Sequence, residues 1–209
     1  GSGDEAVREK GMALYKSMWT QICEHFSDYS YKLIFESANE ELCHRLNDSD
    51  VTGTEGVLSE DECYETTNRI NSEFVKLVRS TGGKNADRFL LIAGYNTDFR
   101  KTCDDRYQMP EDTAKDKLLL SVHYYTPWDY CSDGNAKRWG TPGDYEEQNS
   151  LFQMLTKFTD QGYGVVIGEY AVMGAANKPD RDKFYANLLD NCDLYNYCPV
   201  LWDCSDFYK

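Results

Sequence analysis

In "KLIFESANEELCHRL" (Lys32 to Leu46) a short apolar run, Leu33-Ile34-Phe35, gives way to Asn39, Glu40 and Glu41. Three apolar residues are too few for a helix and suit a strand buried on both faces. The carboxylates then fall at the end of that strand, where loops carry function in sheets of parallel strands.

The segments on either side decide what kind of sheet this is. Before it, Asp4 to Phe26 reads as a helix, with Leu14, Met18, Ile22 and Phe26 recurring every four residues and Tyr15 and Trp19 widening the apolar face. After it, Ser59 and Glu62 form a capping box that opens a second helix carrying Ile70, Phe74, Leu77 and Val78, and "STGG" stops it. A strand from Phe89 to Ala93 follows. The alternation goes on through a strand in "KLLLSVHYY", a helix around Glu146 to Gln161, a strand in "YGVVIGEY", a helix around Asp180 to Asp190 and a strand in "CPVLWD". Apolar strands separated by helices or long crossovers predict an α/β fold with a parallel sheet covered on both faces.

Each strand ends in polar or aromatic residues: Asn39 and Glu40, Tyr95 and Asn96, His123 and Tyr125, Glu169, then Trp202 and Asp203. In parallel α/β folds the site is built at the C-terminal ends of the strands. The stretches Cys43 to Leu58 and Tyr125 to Asp144 are rich in Gly, Asp, Ser and Thr and are expected as loops on that same face. With no repeat or low-complexity segment, the 209 residues are expected to form a single domain.

Composition narrows the function. The chain has 36 acidic against 22 basic residues and a formal charge of −14, with Lys and Arg scattered, so the basic surface that nucleic acid demands is missing. Runs such as "FLLIA" and "GVVIG" fall far short of the ~20 apolar residues of a membrane span, so no membrane partner is expected. The eight cysteines form no CxxC pair and match no zinc spacing, so no metal is expected. They read equally well as disulfide partners or as small buried apolar residues.

Glu40 and Glu169 follow different strands, and in a parallel sheet both project at one end. Two converging carboxylates are what glycosidic cleavage needs, one to protonate the leaving oxygen and one to attack the anomeric carbon or activate water. Taken by themselves they read more readily as solvated or loop-bonded surface groups in an acidic chain. His123 and Tyr125 form an H-x-Y unit whose side chains share one strand face.

"LIFESANEE", "SVHYYTP", "VVIGEY" and "VLWDCS", in this order and spacing, resemble glycoside hydrolase family 5, in particular its rumen-type endo-β-1,4-glucanase subfamily. The resemblance covers nearly the whole chain. It implies a (β/α)8 barrel, of which this chain corresponds to about strands four to eight, and a retaining mechanism on β-1,4-glucans, mixed-linkage glucan or xyloglucan. By that resemblance Glu40 is the acid/base, Glu169 the nucleophile, and Asn39 a partner of the sugar 2-hydroxyl. Tyr125 would hydrogen-bond the nucleophile, His123 would line the cleft, and Trp202 would be a sugar platform. Tyr95, Asn96, Trp128, Tyr130 and Trp139, in loops on the expected site face, are further candidate sugar contacts, and the aromatic ones among them fit loop packing at least as well.

A retaining pair would hold its carboxyl groups ~5 Å apart. No cofactor is expected. Where most family members carry Asn-Glu-Pro, this chain has Glu41 in place of the proline, expected to alter loop rigidity and raise the proton affinity of Glu40. Five strands of a barrel leave open edges, so pairing with a complementary barrel segment or self-association is expected. A secreted location is implied by the family alone, and a non-catalytic glucan-binding protein is the alternative reading.

Overall fold

The computed structural model describes residues 4–47, 58–132, 138–174 and 178–203. The loop positions expected within 48–57 and 133–137, and Cys204, lie outside the described residues. The chain forms two compact units, Gly1–Thr97 with Asp104–Leu120, and Asp98–Cys103 with Ser121–Lys209.

In the first unit, helix α1 (Glu5–His25) starts where the Asp4 carboxylate accepts the Ala6 N–H at 2.8 Å. Its inward side is not the four-residue stripe expected above. Leu14 and Met18 are 63% and 54% exposed, and α1 packs instead through Trp19, whose ring lies 4.7 Å from Phe74 and 5.6 Å from Phe35, and through buried Cys23. The aromatic ring buries more area than either aliphatic side chain and sets the rotation of the helix.

Strand β1 (Phe35–Glu36) leads to helix α2 (Glu60–Ser80), which opens with the expected capping box of Ser59 and Glu62 and buries Tyr64, Phe74, Val75 and Val78. Strand β2 (Leu90–Ala93) pairs with β1 in parallel, Phe35 opposite Leu90. Together α1, β1 and α2 leave an apolar groove of about 610 Å³, whose lining includes Met12, Trp19, Leu42 and Ile70.

Arg88 is 1% exposed and ties this unit together. Its Nε donates to Asn85 Oδ1, Nη1 to the carbonyls of Ser30 and Leu33, and Nη2 to those of Phe26 and Tyr29. All five donors of the guanidinium are thereby used.

Strand β3 (Leu118–Tyr124) begins in the first unit and ends in the second. The second unit continues with helix α3 (Pro142–Met154), strand β4 (Gly164–Tyr170), helix α4 (Arg181–Tyr195) and strand β5 (Cys198–Leu201). Helix α3 starts earlier than Glu146 because Thr141 and Asp144 form a capping box with Pro142 at the first turn, an aspartate taking the place usual for Glu or Gln. It ends at Met154, and a separate short turn of helix, Thr156–Thr159, completes the expected span. Phe99, Tyr124, Phe152 and Phe184 form the aromatic core, with Tyr124 lying 5.1 to 5.9 Å from the other three.

The five strands are ordered in the sheet as they occur in the chain, and β4 and β5 pair in parallel. Among the described residues the seven cysteines form no disulfide, and five of them, Cys23, Cys43, Cys63, Cys131 and Cys192, are buried. No helix among the described residues is long and apolar enough to cross a membrane.

Candidate active site

The expected site residues fall in both units, and each group is held by contacts inside its own unit. In the first, the main chain leaves β1 at Glu36 and turns through Asn39, Glu40 and Glu41. Glu41 does not point away as a bystander. Its Oε2 accepts the Asn39 N–H at 3.0 Å, closing a tight loop around Glu40 where a proline would otherwise stiffen the chain.

Cys43, fully buried, brings its Sγ within 3.4 Å of the Glu40 carbonyl and 3.2 Å of Asn96 Oδ1, and the Asn96 N–H donates to the Leu42 carbonyl at 2.9 Å. The loop bearing Glu40 is thus fastened to the turn after β2, where Asn96 adopts a left-handed conformation (φ 52°). Asparagine tolerates that region better than most residues. Sequence reasoning missed Cys43, because nothing about a cysteine three positions after Glu40 signals a partner 53 residues away.

Tyr95 is not available to a ligand. It has no exposed surface, and its ring stacks on Tyr64 with centroids 3.9 Å apart. Burial also pushes its phenol pKa up. The expectation of a sugar contact at Tyr95 is corrected accordingly: the position serves the core of the unit.

In the second unit, His123, Tyr125 and Glu169 come together. Tyr125 Oη donates to Glu169 Oε2 at 2.8 Å, and His123 Nδ1 lies 3.5 Å from the same oxygen. His123 is on β3 and Tyr125 lies just past its end, two residues on, so both side chains leave the same face toward β4, which carries Glu169. Gly168 makes this closeness possible. A Cβ there would sit 2.9 Å from Ser121 Oγ and 3.3 Å from His123 Nε2, so any side chain would push β4 away from β3. Nothing in the spacing of "VVIGEY" signals the need for a glycine; the facing Ser121 explains it.

Trp128 is 63% exposed and meets Tyr125 edge-on with centroids 6.2 Å apart, which leaves an indole face open for a flat apolar ligand surface. Trp202 is half-buried beyond β5, its backbone N–H donating at 3.1 Å to the carbonyl of Tyr170, the last residue of the strand that holds Glu169. Tyr130 and Trp139 are buried against Phe184 and pack the loop, as one of their two readings had it.

In the second unit a carboxylate oriented by a tyrosine hydroxyl and an imidazole, with exposed indole beside it, is suited to nucleophilic or acid/base work, and the first unit carries another carboxylate on a fastened strand-end loop. Comparison with known proteins gives the chain a family. The family described as Cellulase (glycosyl hydrolase family 5) matches residues 3–207. Endoglucanase A of Paenibacillus barcinonensis is 30% identical over 229 residues, covering 97% of this chain and 54% of that protein. Endoglucanase 1 of Ruminococcus albus is 34% identical over 189 residues, covering 90% of this chain and 44% of that protein.

Among solved structures, a GH5-4 broad specificity endoglucanase from an uncultured bovine rumen ciliate superposes with a TM-score of 0.80 at 30% identity, over 98% of this chain and 60% of that one. A family 5 xyloglucanase from Paenibacillus pabuli, solved with ligand, gives 0.79 at 29%, over 94% and 59%. The chain spans about half the length of the curated relatives it matches. Its parallel strands flanked by helices form part of a (β/α)8 barrel, as expected. The chain belongs to glycosyl hydrolase family 5.

Proposed function

We propose that the chain carries the two catalytic glutamates of a retaining endo-β-1,4-glucanase. In the first step Glu169 attacks the anomeric carbon while Glu40 donates its proton to the departing glycosidic oxygen, leaving a glycosyl ester on Glu169. In the second, Glu40, now a carboxylate, takes a proton from water, whose oxygen displaces Glu169 and releases the sugar. The observation that carries the reading is the Glu169 carboxylate, held on one oxygen by Tyr125 at 2.8 Å with His123 at 3.5 Å. A fixed orientation prepares the carboxylate for in-line attack.

Asn39 is proposed to bind the sugar 2-hydroxyl, His123 and Asn96 to line the cleft, and Trp202 and Trp128 to stack on pyranose faces. The proposed substrate is a β-1,4-linked or mixed-linkage glucan, with xyloglucan included because one solved relative is a xyloglucanase. A polymer of this kind does not cross membranes, which supports an extracellular place of action. Glu169→Ala and Glu40→Ala are expected to abolish release of reducing sugar from carboxymethylcellulose and β-glucan while circular dichroism stays unchanged. Turnover retained in the Glu169 variant would refute the assignment.

A further inference from the structure

Ser37 is 2% exposed and Asn71 is fully buried, two polar side chains under the loop of Glu40 that the proposed chemistry does not use. In the parallel ladder of this register, with Ser37 N–H on the Leu91 carbonyl at 2.9 Å, the next rung would run from the Ala93 N–H to the Ser37 carbonyl. That rung is replaced. The Ala93 N–H donates to Ser37 Oγ at 3.0 Å, and the Ser37 carbonyl turns away to accept Tyr15 Oη at 2.6 Å.

Asn71 completes the exchange: Ser37 Oγ donates to Asn71 Oδ1 at 2.8 Å, and Asn71 Nδ2 donates to the Ala93 carbonyl at 2.9 Å. Every polar atom of Ser37 is engaged, by β2, α2 and α1 at once. The side chain thus stands in for its own backbone, so β1 peels off the sheet at this residue without leaving a buried amide unpaired. Two residues later the chain reaches Asn39 and Glu40.

We propose that Ser37, gripped by Asn71 and Tyr15, is a positioning residue that sets the direction in which the Glu40 carboxyl leaves the sheet. The proposal rests on the acid/base reading of Glu40 and adds what aims it. Without the Ser37 hydroxyl the ladder either closes one rung further or leaves the Ala93 N–H unsatisfied, and in both cases the following loop shifts. A misaimed general acid matters only where the leaving group needs a proton.

The test compares kcat/KM, which reports the first chemical step, on cellotetraose and on 2,4-dinitrophenyl β-cellobioside, whose phenolate leaves unprotonated. In the full chain, Ser37→Ala and Tyr15→Phe are expected to slow cellotetraose by about tenfold or more and the dinitrophenyl substrate by less than about twofold, and Ser37→Thr is expected to restore the rate. Equal losses on both substrates, or none, would overturn the proposal. Glu40→Gln is the control: if it does not separate the two substrates, the acid assignment fails. The role of Ser37 is then judged by hydrogen exchange, which should speed up in residues 35–43 of Ser37→Ala and stay unchanged in α4; unaltered exchange in residues 35–43 would overturn it.

Discussion

Tyr125 Oη donates to Glu169 Oε2 across 2.8 Å, from just past the end of one strand to the neighbouring strand. A hydrogen bond to a charged group contributes about 1.5–3 kcal/mol. Tyr125→Phe is therefore expected to lower kcat by roughly 10- to 100-fold while the fold is retained. Steady-state kinetics on β-glucan check it; an unchanged kcat would show that the carboxylate needs no such anchor.

Gly168 has no room for a methyl group, since its Cβ would meet Ser121 Oγ at 2.9 Å. Forcing an extra methyl into a packed interior costs about 1–3 kcal/mol. Gly168→Ala is expected to lower both Tm and activity, and Ser121→Ala in the same chain is expected to recover part of the Tm. Calorimetry of the single and double variants decides; strictly additive losses would place the strain elsewhere.

Arg88 offers five donors to four backbone carbonyls and one side-chain amide oxygen, with no carboxylate among its hydrogen-bond acceptors. Arg88→Met would strand those acceptors in the interior, and a loss on the order of 3 kcal/mol is expected. Arg88→Lys, with three donors, is expected to recover only part of it. Urea unfolding at constant m-value measures both.

Arg79 and Asp112 form a bidentate pair, each side chain 6% exposed. Burial opposes ionisation of Asp112, but the Arg79 fork and the backbone N–H groups of Ala114 and Thr113 outweigh it and hold the carboxyl below its usual value. A carboxyl depressed in the folded state stabilises above the unfolded-state pKa, about 4, and that stability is lost as pH falls through the lower folded value. Asp112→Asn is expected to lower Tm at neutral pH and to flatten the acid side of the Tm–pH curve; an acid side as steep as in the parent would contradict this.

The parts of the fold set by local pattern were legible in the sequence. Ser59 and Glu62 announced α2, and the near-continuous apolar run of "YGVVIGEY" announced β4. What depended on partners far along the chain was not. The inward face of α1 departs from the four-residue stripe because Trp19 finds Phe74 and Phe35, leaving Leu14 and Met18 outside. Tyr95 follows a strand, as a cleft residue would, yet Tyr64, 31 positions earlier, claims its ring. At the site, the H-x-Y spacing puts His123 and Tyr125 on one strand face and the family resemblance puts Tyr125 beside Glu169, whereas Cys43, Ser37 and Gly168 act through contacts that no spacing encodes.

The proposed retaining mechanism requires Glu169 to become covalently glycosylated. Incubation with 2,4-dinitrophenyl 2-deoxy-2-fluoro-β-cellobioside slows the second step and lets the ester accumulate, and peptide mass spectrometry then locates it. The expected product carries one added fluorocellobiosyl group, on the peptide containing Glu169. A label on another carboxylate, or unlabelled protein that releases product of inverted configuration, would contradict it.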